Sequence, residues 1–278
     1  MIALERVTGA IGELSPLPQT ATRLAALLSQ GNWTVDSCVE IVRYDQALTA
    51  DLFKYANSAF SGSKRQISDI RDAVIRLGGG RILEDLCARH LRRDFAVALP
   101  AYGYDERDLW RHSVASAVAA ESLGAYAGVP VDGLAFTAAL LHDIGKLVLT
   151  RTAPREDMEA VWKMVTGVRC SCEQAEKEVL GMTHAEVGAA VIAAWGLPGS
   201  IVGGVKNHHA SNDPADPLTD CVMVANVVAR TIGEGIGHEG MNIGGDALVG
   251  KRCGLTKEKF EQLCARTRYR FQEIVGEF

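Results

Sequence analysis

An adjacent histidine and aspartate, His142 and Asp143, lie within an otherwise apolar run, Leu140–Lys146. An ionised carboxylate buried in such a segment costs several kcal/mol or more unless a cation or a hydrogen-bond donor compensates it. A metal ion is the simplest compensation, because imidazole and carboxylate are standard ligands of first-row divalent metals. Lys146 follows His142 by four positions, so on a helix it points the same way and could contact a phosphate beside the metal. The alternative is a partly buried pair that only caps a helix.

Four further histidines stand in the second half of the chain, where a helical metal site would need them: His112, His184, His208 and His209. Roughly one helix and its loop separate each group from the next, so a bundle could bring them to one pocket. With His142 and Asp143 they exceed the four ligands of one zinc ion, so the site could hold two metals. Two metals bridged by a hydroxide would direct it at phosphorus and stabilise the attacking and leaving oxygens. Any one of these histidines alone would more simply be a hydrogen-bonded structural residue.

Helical periodicity predicts the elements that must position these side chains, and no sustained strand-like alternation appears. Thr34 is predicted to cap the first of these helices, and Ser68 or Asp69 a later one. Residues 233–250 contain seven glycines and are predicted to form a mobile loop, since the spacing of Gly235–Gly240 lacks the strand that a dinucleotide-binding motif requires. The predicted helices cover about residues 35–44, 48–60, 70–77, 81–99, 108–127, 132–150, 156–166, 172–180, 184–195, 199–209, 218–232 and 257–275.

A boundary between two helical halves is predicted at Leu99–Tyr104, where Pro100 ends a helix. The predicted organisation is therefore an N-terminal helical unit over residues 1–99 and a second helical unit over residues 100–278, all of it α-helical.

The composition is that of an ordinary globular protein, with 278 residues, 47% of them hydrophobic and 23% charged. A net charge of −5 gives no indication of a general nucleic-acid surface, and the basic run of Arg89, Arg92 and Arg93 is interpreted as a solvated helix face. No apolar run reaches the roughly 18 residues of a membrane span.

The cysteines and the first residues of the chain indicate the cytoplasm. Seven cysteines, an odd number without disulfide-framework spacing, are typical of a reducing compartment. The beginning of the sequence lacks the basic start and apolar core of a secretory signal.

Short motifs spread over about residues 12–230 resemble those of HDOD proteins, a bacterial branch of the HD superfamily of metal-dependent phosphohydrolases. In the first half these motifs are Leu14–Pro18, Tyr44–Ala50 with Tyr55–Ala59, and Ile70–Gly78. In the second half they are Leu140–Lys146, Gly181–Gly188, Trp195–Pro198 and the pair His208 and His209.

The resemblance implies an all-α fold in which an N-terminal helical bundle packs on an HD-type helical domain. It also implies one or two divalent ions of Fe, Mn, Ni or Zn, and a catalytic part for Asp143 and for Lys146, which would contact the substrate phosphate. The metal ligands it implies are His112, then the central pair His142 and Asp143, then His184, and last His208 with His209.

The chain departs from the active relatives at Asn226, where they place a carboxylate. Asn226 offers a neutral carbonyl oxygen, which binds a divalent ion less strongly than an anion does. Asp220 is no obvious substitute, because six positions along a helix place it about 240° round from Asn226. The Gly-Tyr-Pro motif of the cyclic-di-GMP phosphodiesterases is absent after His209, where Ala210–Asp213 stands.

These departures favour a cytoplasmic bacterial signal-transduction protein that keeps a metal pocket, acts through a protein partner, and is weak or inactive as a hydrolase. The alternative is an active metal-dependent phosphohydrolase, either a phosphodiesterase or a phosphatase, acting on a nucleotide or another phosphate ester. A third hypothesis is a scaffold with an empty pocket. A nucleotide or phosphate ligand is expected, whereas neither nucleic acid nor membrane is an expected partner.

Overall fold

The computed structural model describes residue 2 and residues 4–57, 66–127, 133–168, 170–210, 216–239 and 247–276. Within these ranges all named elements are helices, and extended backbone pairs only at an isolated bridge between Leu99 and Tyr104. The all-α prediction is therefore confirmed. Ser58 and Ala59 of the resembling motif lie outside the described residues, as does the part of the glycine-rich segment at 240–246.

The helices of the first half begin where short polar side chains can cap them. Thr34 accepts a hydrogen bond from the backbone of Ser37 at the start of the helix Val35–Val42, and Asp69 caps the helix Ile70–Leu77, as predicted. Gly78, with a φ of 79°, joins the latter helix to the next, which begins two residues earlier than its predicted start. These helices are α1 (Leu4–Glu13), α2 (Gln19–Ser29), α3 (Val35–Val42), α4 (Gln46–Ala56), α5 (Ile70–Leu77) and α6 (Gly79–Phe95).

The helices of the second half follow after a 3₁₀ turn at Pro100–Tyr102, and a second 3₁₀ turn lies at Gly237–Glu239. They are α7 (Asp108–Leu123), α8 (Ala135–Leu141), α9 (Gly145–Thr152), α10 (Arg155–Val168), α11 (Cys172–Leu180), α12 (His184–Ala194), α13 (Gly199–Lys206), α14 (Pro217–Thr231), α15 (Ala247–Arg252) and α16 (Lys257–Gly276). Helix α15 thus begins inside the segment predicted as a loop.

The single helix predicted over 132–150 is two helices, and residues 142–144 form the turn between them. The break coincides with a close crossing of α9 over α12. A Cβ atom on Gly145 would collide with the carbonyl oxygen of His184 and with the backbone nitrogen of Gly188. This contact between distant parts of the chain positions the turn, and local periodicity carries no sign of it.

Helix α7 forms the centre of the second half and contacts α6, α8, α14 and α16. Its buried residues occupy its whole circumference, as expected of a fully enclosed helix. Helix α1 packs on α9, and the backbone nitrogen of Ile2 donates to the carbonyl of Leu180 at 3.0 Å. The boundary near residue 99 stays a prediction. Among the described helices, none has the length and apolar character needed to cross a bilayer.

Candidate metal centre

Five of the six predicted metal ligands, all histidines, lie around the buried carboxylate of the sixth, Asp143. Its Oδ2 atom is 3.4 Å from Nε2 of both His112 and His142. Its Oδ1 atom is 3.4 Å from Nε2 of His184 and 3.8 Å from that of His208. Asp143 therefore turns one oxygen toward each of two ligand groups. We call them the first cluster, His112, His142 and Asp143, and the second cluster, His184, His208 and His209.

Different elements deliver these side chains. His112 lies in the first turns of α7, and His142 with Asp143 forms the turn between α8 and α9. His184 is the first residue of α12, whereas His208 and His209 lie in the turn after α13, which ends at Lys206. The predicted helix over 199–209 is shorter than expected, so the late pair lies in a turn.

Four of the imidazoles are oriented by a hydrogen bond at Nδ1. The acceptors are the carbonyl of Glu234 for His112 at 3.0 Å, that of Ala139 for His142 at 2.7 Å, that of Val205 for His208 at 2.6 Å, and the Glu176 carboxylate for His184 at 2.7 Å. Because these oxygens only accept, Nδ1 carries the proton and Nε2 keeps its lone pair. In each ring Nε2 faces Asp143, in the tautomer that binds a metal.

Among the residues that the structure describes, several of these lone pairs meet no hydrogen-bond donor. Nε2 of His112 lies 3.2 Å from Nε2 of His142, and Nε2 of His184 lies 3.0 Å from Nε2 of His209. In the first pair both atoms are acceptors, whereas two nitrogens about 2.1 Å from one tetrahedral zinc ion would stand about 3.4 Å apart. Asp143 Oδ1 and His208 Nε2 are buried without a hydrogen-bond partner among the described residues. The residues present therefore fit a divalent metal.

Burial determines the protonation of most of these histidines. It lowers the pKa of His112 to about 3, lowers that of His142, and holds those of His208 and His209 well below their usual range. Burial also opposes ionisation of Asp143, but the positive charge around it, including the Lys146 ammonium, holds its pKa well below the ordinary value. Near neutral pH the centre therefore offers neutral imidazoles at His112, His142, His208 and His209 around an ionised carboxylate, whereas Glu176 raises the pKa of His184.

Lys146 is buried beside the same carboxylate. Its Nζ atom donates to Asp143 Oδ2 at 2.7 Å and to the hydroxyl of Tyr104 at 3.3 Å. The ammonium also lies 5.5 Å from the ring centroid of Tyr102 and 5.3 Å from that of Tyr104. Lys146 thus compensates the charge of Asp143. The phosphate contact expected of Lys146 stays a prediction.

Glu176 is a further residue of this centre, and it is not among the residues predicted from the sequence. It is fully buried on α11, accepts hydrogen bonds from the backbone nitrogen and Nδ1 of His184, and accepts another from Tyr102 at 2.7 Å. The sequence does contain a pattern that indicates it, because Glu176 lies on the same helical face as Cys172 and Leu180, which are both buried. A carboxylate on an apolar face requires a partner.

A cavity of about 730 Å³ reaches the second cluster at His208 and His209. Asn226 lines it, and its Oδ1 atom is buried without a hydrogen-bond partner among the described residues. Asp220 lies elsewhere, in a double hydrogen bond with Arg252 at 2.7 and 2.5 Å. The remaining lining combines apolar side chains with three cations: Met223, Val224, Val227, Val249, Gly250, Leu255, Thr256, Phe260, Arg230, Lys251 and Lys257.

The HDOD domain family matches residues 14–211, which is more than half of the chain. The chain belongs to the HDOD family. The resemblance inferred from the motifs is confirmed, and so is the all-helical HDOD architecture. The matched segment includes all six residues of the two clusters, whereas α14–α16, which line most of the cavity, follow it.

One relative by sequence is a protein of Treponema pallidum (strain Nichols) that is described as uncharacterized. It is 24% identical over 224 residues, which is 79% of this chain and 43% of the relative. The HDOD chain therefore spans less than half the length of that relative.

Three solved structures share the fold. An HDOD domain protein of unknown function from Geobacter sulfurreducens has a TM-score of 0.64 and 25% identity, covering 97% of this chain and 96% of its own. A proposed signal transduction protein from Marinobacter aquaeolei VT8 has a TM-score of 0.72 and 23% identity, covering 98% and 64%. A proposed phosphohydrolase from Shewanella amazonensis SB2B has a TM-score of 0.62 and 21% identity, covering 95% and 93%. The last two likenesses support the fold alone.

Proposed function

We propose that this HDOD protein is a signal-transduction protein whose buried centre holds one or two divalent metal ions, and that its hydrolysis of phosphate esters is weak or absent. The observation that carries the proposal is the orientation of four imidazoles by their Nδ1 hydrogen bonds, which aims every Nε2 lone pair at Asp143. In this proposal a protein partner binds according to whether the centre holds metal. A cytoplasmic location belongs to the same proposal, and it is supported by seven cysteines that are all free thiols.

In this proposal the two clusters hold the metal, and Asp143 is shared between them through its two oxygens. A bound divalent ion supplies Lewis acidity, which lowers the pKa of a water and offsets phosphate charge. Glu176 holds His184 in its metal-binding orientation, and Lys146 neutralises part of the charge on Asp143. Asn226 presents only a neutral oxygen beside His208 and His209. That substitution supports binding of a metal with little turnover.

An active phosphohydrolase is the second candidate, and one observation favours it. The cavity of about 730 Å³ reaches His208 and His209, so a phosphate ester could approach the second cluster. Arg230, Lys251 and Lys257 on its walls would favour an anionic substrate. The proposed phosphohydrolase of Shewanella amazonensis SB2B shares this fold.

The metal is tested by elemental analysis of the purified chain and of two histidine variants. We expect about one or two ions per chain in the parent and a marked loss in His142→Ala. His90→Ala is the matched control, because His90 is a partly exposed histidine on α6, outside both clusters. Less than about a tenth of an ion per chain after loading with iron or manganese would contradict the proposal.

Turnover is tested with bis(p-nitrophenyl) phosphate and added divalent ions. We expect little hydrolysis by the parent and more by Asn226→Asp, which restores a carboxylate beside the second cluster. Asn32→Asp, at an exposed position far from Asn226 in the sequence, controls for the added charge. A parent that hydrolyses the ester, and loses this activity in His142→Ala, would establish the second candidate instead.

A further inference from the structure

Five arginines line a cleft of about 350 Å³ that includes no residue of the two clusters. Three of them are those that the sequence analysis interpreted as a solvated helix face, and the structure joins them to two arginines of a second helix. The arginines are Arg89, Arg92, Arg93, Arg107 and Arg111, and Ala96, Trp110 and Val275 complete the lining.

Two helix ends create this convergence. Arg89, Arg92 and Arg93 occupy positions i, i+3 and i+4 of the last turns of α6, so they share one face. Arg107 and Arg111 are four residues apart at the start of α7. The backbone nitrogen of Arg107 donates to the carbonyl of Ala96 at 3.0 Å, which ties the beginning of α7 to the end of α6.

The backbone of Arg107, whose side chain lines the cleft, is strained. Among the described residues it is the sole non-glycine with a positive φ, 72°. A residue with a Cβ atom adopts this conformation at a cost, and such strain is retained mainly at functional positions. Arg107 makes no side-chain capping bond to α7. The Arg107 side chain therefore does not stabilise the start of α7 by capping, whereas it adds a guanidinium to the cleft.

The cleft carries more positive charge than its neighbours neutralise. Arg89 pairs with Asp85 at 2.8 Å and Asp51 at 3.2 Å, and Arg111 pairs with Glu234 at 2.8 Å. In the part of the chain that the structure describes, neither Arg93 nor Arg107 forms an ion pair. Both side chains are exposed, and a guanidinium is a cation.

We propose that this arginine cleft binds a small molecule that carries two or more phosphate groups. A guanidinium donates two parallel hydrogen bonds to a phosphate, and Arg93 and Arg107 stand at the ends of two different helices, so each can meet a phosphate group of its own. The volume of about 350 Å³ suits a small molecule. Trp110, Ala96 and Val275 supply an apolar wall on which the rest of the ligand can lie.

Calorimetric titration of the full chain with inorganic pyrophosphate, without added divalent ions, tests the proposal. We expect one pyrophosphate per chain, orthophosphate at least about tenfold weaker, and a loss of about tenfold or more in each of Arg93→Ala and Arg107→Gly. Glycine suits the positive φ at position 107, so that variant removes the side chain without new backbone strain. Arg155→Ala, whose side chain on α10 is 90% exposed, is the matched control and should bind as the parent does.

Pyrophosphate could instead reach the metal centre, and His142→Ala separates the two sites. Binding that survives His142→Ala and is lost in Arg93→Ala with Arg107→Gly supports the cleft. Binding lost in His142→Ala but kept in the double arginine variant would overturn the cleft while leaving the proposed metal centre standing. The absence of binding at about 1 mM pyrophosphate would overturn the cleft as well.

Discussion

Glu176 holds His184 by two hydrogen bonds, one from the backbone nitrogen at 2.8 Å and one from Nδ1 at 2.7 Å. Both residues are fully buried. Burial alone would lower the pKa of His184, but the carboxylate of Glu176 outweighs it and raises that pKa. One carboxylate therefore determines both where the first residue of α12 stands and which of its ring nitrogens faces Asp143.

Replacing Glu176 by glutamine should weaken metal binding. The variant removes the negative charge that supports His184 and leaves its Nδ1 bond to a neutral group. We expect metal affinity to fall by about 10-fold to 100-fold, the usual effect of losing such a partner, as measured by competition with a chelator of known affinity. Glu178→Gln, at an exposed position on the same helix, should leave the affinity unchanged. Equal affinities in the two variants would mean that Glu176 does not orient a ligand.

Lys146 and a bound cation should compensate the same carboxylate. In Lys146→Met without metal, Asp143 would lose the ammonium that donates to its Oδ2, which leaves its buried charge poorly compensated. We therefore expect the gap in Tm between metal-loaded and chelator-treated protein to exceed that of the parent by several degrees. Lys163→Met, at an exposed position on α10, should keep the parental gap. A gap no larger than that of the parent would show that Lys146 does not share Asp143 with a metal.

Gly145 should be intolerant of a side chain. A Cβ atom there would meet the backbone of His184 and Gly188, so α9 and α12 would have to separate. We expect Gly145→Ala to lower the free energy of unfolding by about 1 to 3 kcal/mol and to reduce metal content, as measured by urea denaturation and elemental analysis. Gly167→Ala on α10, where the structure leaves open space, should be neutral or stabilising by up to about 1 kcal/mol.

The helices and the ligand set could be predicted because their signals are local. Thr34 and Asp69 cap their helices through hydrogen bonds to the next few residues. The six candidate ligands could be predicted together, because their residue types and their spacing indicated that they bind a shared metal. The structure places the five histidines of this set around its sixth member, Asp143.

The remaining features depend on contacts between distant segments. The turn that holds His142 and Asp143 exists beside a crossing of α9 and α12, which helical periodicity does not encode. The spacing of three arginines on α6 is that of any solvated helix face: Arg89, Arg92 and Arg93. Only the packing of α7 shows that Arg107 and Arg111 line the same cleft. The role of Glu176 depends on its hydrogen bond with His184, which lies eight positions later in the sequence, across a turn.

Glu84 should make the stability of the protein depend on pH. It is 8% exposed on α6, and burial, with the nearby carboxylate of Glu121, raises its pKa to about 7 despite an ion pair with Arg81 at 3.1 Å. The unfolded chain releases this proton near pH 4.5, so between about pH 4.5 and pH 7 the folded state binds more protons. The contribution of Glu84 to stability is therefore present below this window and is lost as the pH rises through it.

Comparison of the parent with Glu84→Gln isolates this effect, because the groups of the metal centre titrate in both proteins. We compare the free energy of unfolding of the variant with that of the parent. Between about pH 5 and about pH 8 we expect the variant value minus the parent value to increase by an amount on the order of 1 to 3 kcal/mol. Urea denaturation at several pH values measures the difference. Glu40→Gln, at an exposed position on α3, should track the parent. A difference between Glu84→Gln and the parent that stays constant with pH would show that Glu84 is ionised throughout, and that Arg81 outweighs its burial.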